Sequence, residues 1–358
     1  MGYKRTFEKN YFDFYKWFRK VSSTKKRVKE FKRKNIPYVL TREQEERIKE
    51  YYAPYKIPNF IFHNYFTKIS GEFHENYIPQ DIYTGYIDPY FNDIIASKYL
   101  ENKCYYRAIF YGIQQCETVL MRINGIWLDG LYMPTDGDLM DTVLKKETGG
   151  VFIKEAQTSS GGAGVVFVGK EELTSQRIME IANTIPTDLI VQRELKQHPD
   201  MARLNASSVN SLRIYSVLGL DGHTTVYSAV VRMGVDGAKV DNFSAGGVAC
   251  GINDDGTLKK YGHNRKGEQL EYHPTSNTRF ENYRIPSYCK AIDLVKKAHP
   301  MVAHFRSVAW DVAINEAGEP ILIEANLCRG GIDTLQVNNG PLYGKDTKKI
   351  LDEVFALR

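Results

Sequence analysis

The chain has 358 residues, 42% hydrophobic and 25% charged, enough for two or three units at about 100 to 200 residues each. No run approaches the roughly 18 apolar residues of a membrane span, and Cys104, Cys116, Cys250, Cys289 and Cys328 lack CxxC or CxxH spacing, which argues against a disulfide framework or a zinc site. The net charge of +5 is lopsided: residues 1–34 carry 13 Lys and Arg against 3 Asp and Glu, the remainder 35 against 40, so no basic groove for nucleic acid is indicated.

The first residues, Met-Gly-Tyr-Lys-Arg, carry no apolar signal core, and a cytoplasmic location is expected. In the basic arm Tyr3, Phe7, Tyr11, Phe14, Phe18 and Val21 recur every three or four residues and predict one apolar helix face. That face fits docking on its own protein or an interfacial helix at the inner face of a membrane. Thr41-Arg42-Glu43-Gln44 has capping-box spacing and predicts a helix to about Tyr52. A mixed, partly helical stretch follows to about Leu100.

Short β-rich runs broken by glycine then take over. Val151–Lys154 and Val165–Val168 flank Ser159-Ser160-Gly161-Gly162-Ala163-Gly164, where small residues would let backbone N–H groups approach phosphate oxygens beside Lys154. The GxxxxGK match from Gly164 to Glu171 is not a Walker site: Glu171 replaces the Ser or Thr, and Val-Val-Phe-Val inside it is strand-like. Asp221-Gly222 between Leu212–Leu218 and Thr225–Met233 predicts a hairpin.

A second hairpin, Ser307–Asn315 and Pro320–Asn326, would place Asp311 opposite Glu324, with Asn326 on the same face as Glu324. Facing carboxylates repel, so a cation between them is expected. All-oxygen ligands favour Mg2+, with Mn2+ as an alternative.

Strand, lysine and glycine-rich hairpin, followed about 150 residues later by Asp and Glu-x-Asn, resemble the ATP-grasp superfamily. Asn-Ser-Leu-Arg213-Ile, Val-Val-Arg232-Met and Val-Asp-Asn242-Phe-Ser-Ala-Gly-Gly247 resemble elements of glutathione-synthetase-like ligases. Glu-Asn-Lys103, Val-Gln192-Arg-Glu-Leu-Lys-Gln-His198-Pro and Gly-Ile-Asp-Thr-Leu-Gln336 resemble the sugar-transfer-associated ATP-grasp proteins encoded with cell-surface polysaccharide genes.

The resemblance implies an α+β ATP-grasp fold: two lobes with antiparallel sheets clamping ATP, preceded by a mostly helical N-terminal region. The expected divisions are 1–100, 101–187 and 188–358. It implies that Lys103, Lys154 and the loop Ser160, Gly161, Gly162, Ala163 and Gly164 contact ATP phosphates. It places Gln192, Arg193, Glu194 and Leu195 at adenine, with Asn242 in the nucleotide site. Asp311, Glu324 and Asn326 would hold the metal, and Arg213 and Arg232 would face the acceptor carboxylate or the transferring phosphoryl group. Two departures stand out. The hinge reads Gln192-Arg193-Glu194 where many relatives have glutamate, and Ala309 stands where D-alanine-ligase-type relatives carry an arginine, leaving Arg329 as the candidate donor.

The implied activity is amide formation between a carboxylate and an amine through an acyl phosphate, on a sugar acid or glycan intermediate. The alternatives are a hydroxyl kinase, an amino-acid or peptide ligase, and a nucleotide-binding scaffold for glycosyltransferases.

Overall fold

A computed structural model describes residues 36–157, 164–237, 246–264 and 266–356, with Ser22, Lys25 and Lys29. The aromatic stripe from Tyr3 to Val21, loop residues Ser160, Gly161, Gly162 and Ala163, and Asn242 lie outside the described residues.

The capping box forms as the spacing predicts. Thr41 Oγ1 accepts from Gln44 N and Gln44 Oε1 from Thr41 N, starting helix α1 (Arg42–Tyr52). Helix α2 (Ile61–Ser70) stops at Gly71, whose φ of 79° is open to glycine. Short helical turns follow between Gln80 and Phe91. These segments bury Ile48, Tyr52, Ile82, Tyr83 and Phe91 against Tyr215, Val217, Val230 and Ala309 of a later sheet. At about 1.5 to 3 kcal/mol per fully buried large apolar side chain, that shared core binds the N-terminal helices to the body.

The first sheet contains β1 (Thr118–Ile123), β2 (Ile126–Asp129), β3 (Val151–Glu155), β4 (Val166–Val168) and β5 (Leu189–Arg193). Its order is β2-β1-β5-β3-β4, antiparallel throughout. Helices α3 (Gly137–Lys145) and α4 (Ser175–Ala182) cover one face, packing Met140, Leu144, Ile178 and Ile181 on Val151, Ile153, Leu189 and Val191. Side chains alternate along a strand, so Phe152, Lys154, Ile190 and Gln192 share the opposite face, as the pairs Phe152–Gln192 and Lys154–Ile190 require. Strand β5, which follows the expected boundary at 187/188, lies between β1 and β3, inside the first sheet.

The second sheet contains β6 (Ser211–Leu218), β7 (Thr224–Met233), β8 (Val248–Ile252), β9 (Leu258–Asn264), β10 (Gln269–Leu270), β11 (Ser307–Ile314) and β12 (Pro320–Asn326). Its order is β10-β9-β8-β7-β6-β11-β12. Helix α5 (Tyr288–Ala298) packs Ala291, Leu294 and Val295 on a face that includes Leu212, Ile214, Val231 and Trp310. Helices α6 (Ile332–Asn339) and α7 (Thr347–Phe355) join the N-terminal helices on the other. The β6–β7 hairpin turns at Asp221-Gly222, and the β11–β12 hairpin pairs Asp311 with Glu324 and Ala309 with Asn326.

Candidate active site

The first sheet's second face, part of which packs Met121 and Ile190 on Cys104, the end of β12 and the neighbouring strands β6, β7 and β11 bring charged side chains together. Among the described residues no cluster of three or more His, Cys, Asp or Glu is arranged for a metal. The candidate ligands are instead two carboxylates and an amide.

Asp311 is buried, 3% exposed, in a strand whose eight residues are all buried. Arg213 lies opposite it on β6 and grips it bidentately, Nε to Oδ1 at 2.5 Å and Nη2 to Oδ2 at 2.9 Å. Arg232, one strand further on, reaches Oδ2 at 3.1 Å and donates to Ser211 Oγ from Nε at 3.1 Å and Nη2 at 2.8 Å. Glu324 pairs with Lys103, Nζ to Oε1 at 2.9 Å. Burial alone would raise its pKa, but Lys103, Lys154 and Arg213 outweigh that and hold the carboxyl well below the ordinary carboxylate range.

This geometry corrects one step of the sequence reasoning. The hairpin tolerates its facing carboxylates because the protein's own cations neutralise them; β6 and β7 bring arginines to a point that the hairpin alone cannot reveal.

The donor set nevertheless fits a hard divalent cation. A carboxylate offers about four lone-pair sites, so the ion pairs leave acceptor capacity on both Asp311 and Glu324. Asn326 spends Nδ2 on Ala309 O at 3.0 Å, which fixes its amide and leaves Oδ1 as the atom that could accept a hydrogen bond or bind a cation. An all-oxygen set of this kind suits Mg2+ completed by water and phosphate oxygens.

Lys154 makes no salt bridge among the described residues. Burial lowers its pKa; the fields of Cys116 and Glu324 raise it, and that of Lys103 lowers it further. A half-buried ammonium near Glu324 but without an ion-pair partner of its own among the described residues is a ready partner for an anion. Gly164, with φ of 82°, ends the glycine-rich segment that follows β3.

At the expected adenine strand the residues separate. Gln192 is buried on the same face as Lys154, donates from Nε2 to Cys116 O at 3.4 Å, and has an Oε1 with no hydrogen-bond partner. Arg193 is committed elsewhere: it holds Glu147 through Nε at 2.7 Å and Nη2 at 2.9 Å and also pairs with Glu117. Glu194 is exposed and Leu195 half-buried. Arg329 adopts φ of 61°, in the loop that follows Asn326. Sequence reasoning missed Ser211, whose only signal is its cross-strand register with Arg232.

Residues 86–351 match the family described as sugar-transfer associated ATP-grasp, and the chain belongs to that family. The fold is similar to N5-carboxyaminoimidazole ribonucleotide synthetase in its ADP complex: 12% identity and TM-score 0.39, covering 65% of this chain and 46% of that one. It is similar to the ATP-grasp ligase PsnB complexed with minimal precursor, at 12% and 0.39, covering 75% and 64%. The L-amino acid ligase from Bacillus licheniformis matches at 12% and 0.43, covering 73% and 48%. The alignments thus span less than two-thirds of each of these proteins. No curated protein matches the chain.

Proposed function

We propose that the protein is an ATP-dependent carboxylate–amine ligase acting on a sugar acid or sugar-linked acid during assembly of a cell-surface glycan. The observation that carries this reading is the register of Asp311 with Glu324, two residues before Asn326, ringed by Lys103, Lys154, Arg213 and Arg232. Family membership supports ATP as the nucleotide and sugar transfer as the context.

In this reading Lys103 and Lys154 hold the ATP phosphates, assisted by the loop from Ser160 to Gly164. Gln192 meets the adenine with its unpartnered Oε1. Asp311, Glu324 and Asn326 Oδ1 hold Mg2+, which when bound neutralises phosphate charge. A guanidinium carries five N–H donors, so Arg213 and Arg232 orient an acceptor carboxylate while they steady Asp311. That carboxylate attacks the γ-phosphorus, ADP leaves, and an amine displaces phosphate from the acyl phosphate. Arg329 takes the place of the arginine absent at Ala309, facing the oxyanion that forms when the amine adds.

A matrix of uronic acids against amino acids and other amines, read as ADP release, tests the proposal. A ligase releases ADP only when acid and amine are both present. Release with a sugar alone, accompanied by a phosphorylated hydroxyl, identifies a kinase and refutes the proposal; amino-acid pairs as the sole productive combinations would make it a peptide ligase.

A further inference from the structure

Strand β12 is the last strand of its sheet; among the described residues no full strand pairs with its outer edge, where Gln115 makes an isolated parallel bridge to Leu322. Beyond that bridge the segment Glu101–Tyr106 takes the C-terminal end of the strand and the turn after it, touching four of five consecutive residues from Glu324 to Cys328. Lys103 Nζ donates to Glu324 Oε1 at 2.9 Å. Tyr106 OH accepts from Ala325 N at 3.0 Å and donates to Ala325 O at 3.3 Å. Glu101 Oε1 accepts from Leu327 N at 2.9 Å and Cys328 N at 3.1 Å. The same segment is tied to the first sheet: Lys103 N donates to Ala156 O at 2.8 Å, just beyond β3, and Asn102 Nδ2 to Asp188 Oδ2 at 3.1 Å, just before β5.

We infer that Glu101 and Tyr106 are positioning residues for the metal site, fixing the backbone on both sides of Asn326 so that Glu324 and Asn326 present their oxygens together. Tyr106 supplies the β12 edge with one donor and one acceptor, the pair a neighbouring strand would offer. Glu101 holds the turn that follows the last ligand. Because the bridge is anchored beside β3 and β5, which carry Lys154 and Gln192, the phosphate-facing lysine and the metal strand are held in one frame. Partners that orient metal ligands from behind act on metal affinity by about 10- to 100-fold when removed. The inference rests on the metal reading of Asp311, Glu324 and Asn326.

The test is Mn2+ titrated into full-length protein saturated with AMPPNP and followed by electron paramagnetic resonance, with AMPPNP affinity in EDTA measured separately by calorimetry. Tyr106→Phe keeps the ring in its core and removes both hydrogen bonds; Glu101→Ala removes the acceptor, and Glu101→Gln restores a neutral one. Expected are Mn2+ affinities about 10- to 100-fold weaker in Tyr106→Phe and Glu101→Ala, substantial recovery in Glu101→Gln, and unchanged metal-free nucleotide affinity. Should Glu101→Ala fail to fold, Tyr106→Phe and Glu101→Gln carry the comparison. Wild-type Mn2+ affinity in Tyr106→Phe, while Asp311→Asn loses binding, overturns the inference and leaves the metal reading standing. Equal losses of Mn2+ and metal-free nucleotide affinity show a general structural role and also overturn it. No Mn2+ uptake by the wild-type protein removes the metal reading, and the inference with it.

Discussion

Arg213 faces Asp311 across β6 and β11 and holds both its carboxylate oxygens, at 2.5 and 2.9 Å. Both side chains are largely buried, so removing one partner leaves the other charged in a poorly solvated site. Arg213→Ala should cost about 3 to 5 kcal/mol in urea unfolding without nucleotide, even though Arg232 remains. Mn2+ with AMPPNP should recover part of the loss by giving Asp311 a new cation. A loss below about 1 kcal/mol, the scale of an exposed pair, would contradict this account.

Lys154 carries the opposite trade. Its pKa is lowered from 10.5 by burial, so the unfolded chain holds this proton more tightly than the folded one. Between the lowered folded value and 10.5 the unfolded state therefore binds more protons, and stability rises with pH. The penalty is fully present below the folded pKa. Lys154→Met should melt higher than wild type at neutral pH, with the gap closing at alkaline pH, and should bind ATP about tenfold or more weakly. A lower melting temperature with unchanged ATP affinity would make Lys154 an ordinary structural lysine.

Arg193 is expected to matter for the first lobe and not for the nucleotide, because its guanidinium is spent on buried Glu147 and on Glu117. Arg193→Met should lower the melting temperature while leaving the ATP dissociation constant within about threefold, less than the 1.4 kcal/mol of a tenfold change. A tenfold loss of ATP affinity would return Arg193 to the adenine site.

Gln192 should do what Arg193 does not. Its buried, unpartnered Oε1 is an acceptor suited to the exocyclic amine of adenine, where guanine presents a carbonyl. Gln192→Leu should narrow the preference for ATP over GTP in competition binding, by about 1 to 3 kcal/mol if the acceptor is satisfied only by adenine. An unchanged preference would place base recognition in the backbone.

Local signals were the legible part of this fold. The capping box at Thr41, the hairpin at Asp221-Gly222 and the pairing of Asp311 with Glu324 each depend on spacing within about a dozen residues. One such signal was overlooked: Asn124-Gly125, both at positive φ, joins β1 to β2 in the turn type that favours this dipeptide. Contacts between distant segments were not legible. Arg213 and Asp311 lie 98 residues apart, and Glu101 and Leu327 226 apart. The helices before residue 100 gave no sign of packing on the second sheet, since helical period shows that a face is buried and not against what.

The most direct test of the proposed ligase is product analysis by mass spectrometry after incubation with ATP, Mg2+ and a metabolite pool from a cell lysate, with Asp311→Asn in parallel. The account predicts a new species with the mass of an acid plus an amine less one water, formed with ADP by the wild-type protein alone. A phosphorylated sugar as the only product, or the same condensation product from Asp311→Asn at the wild-type rate, would contradict it.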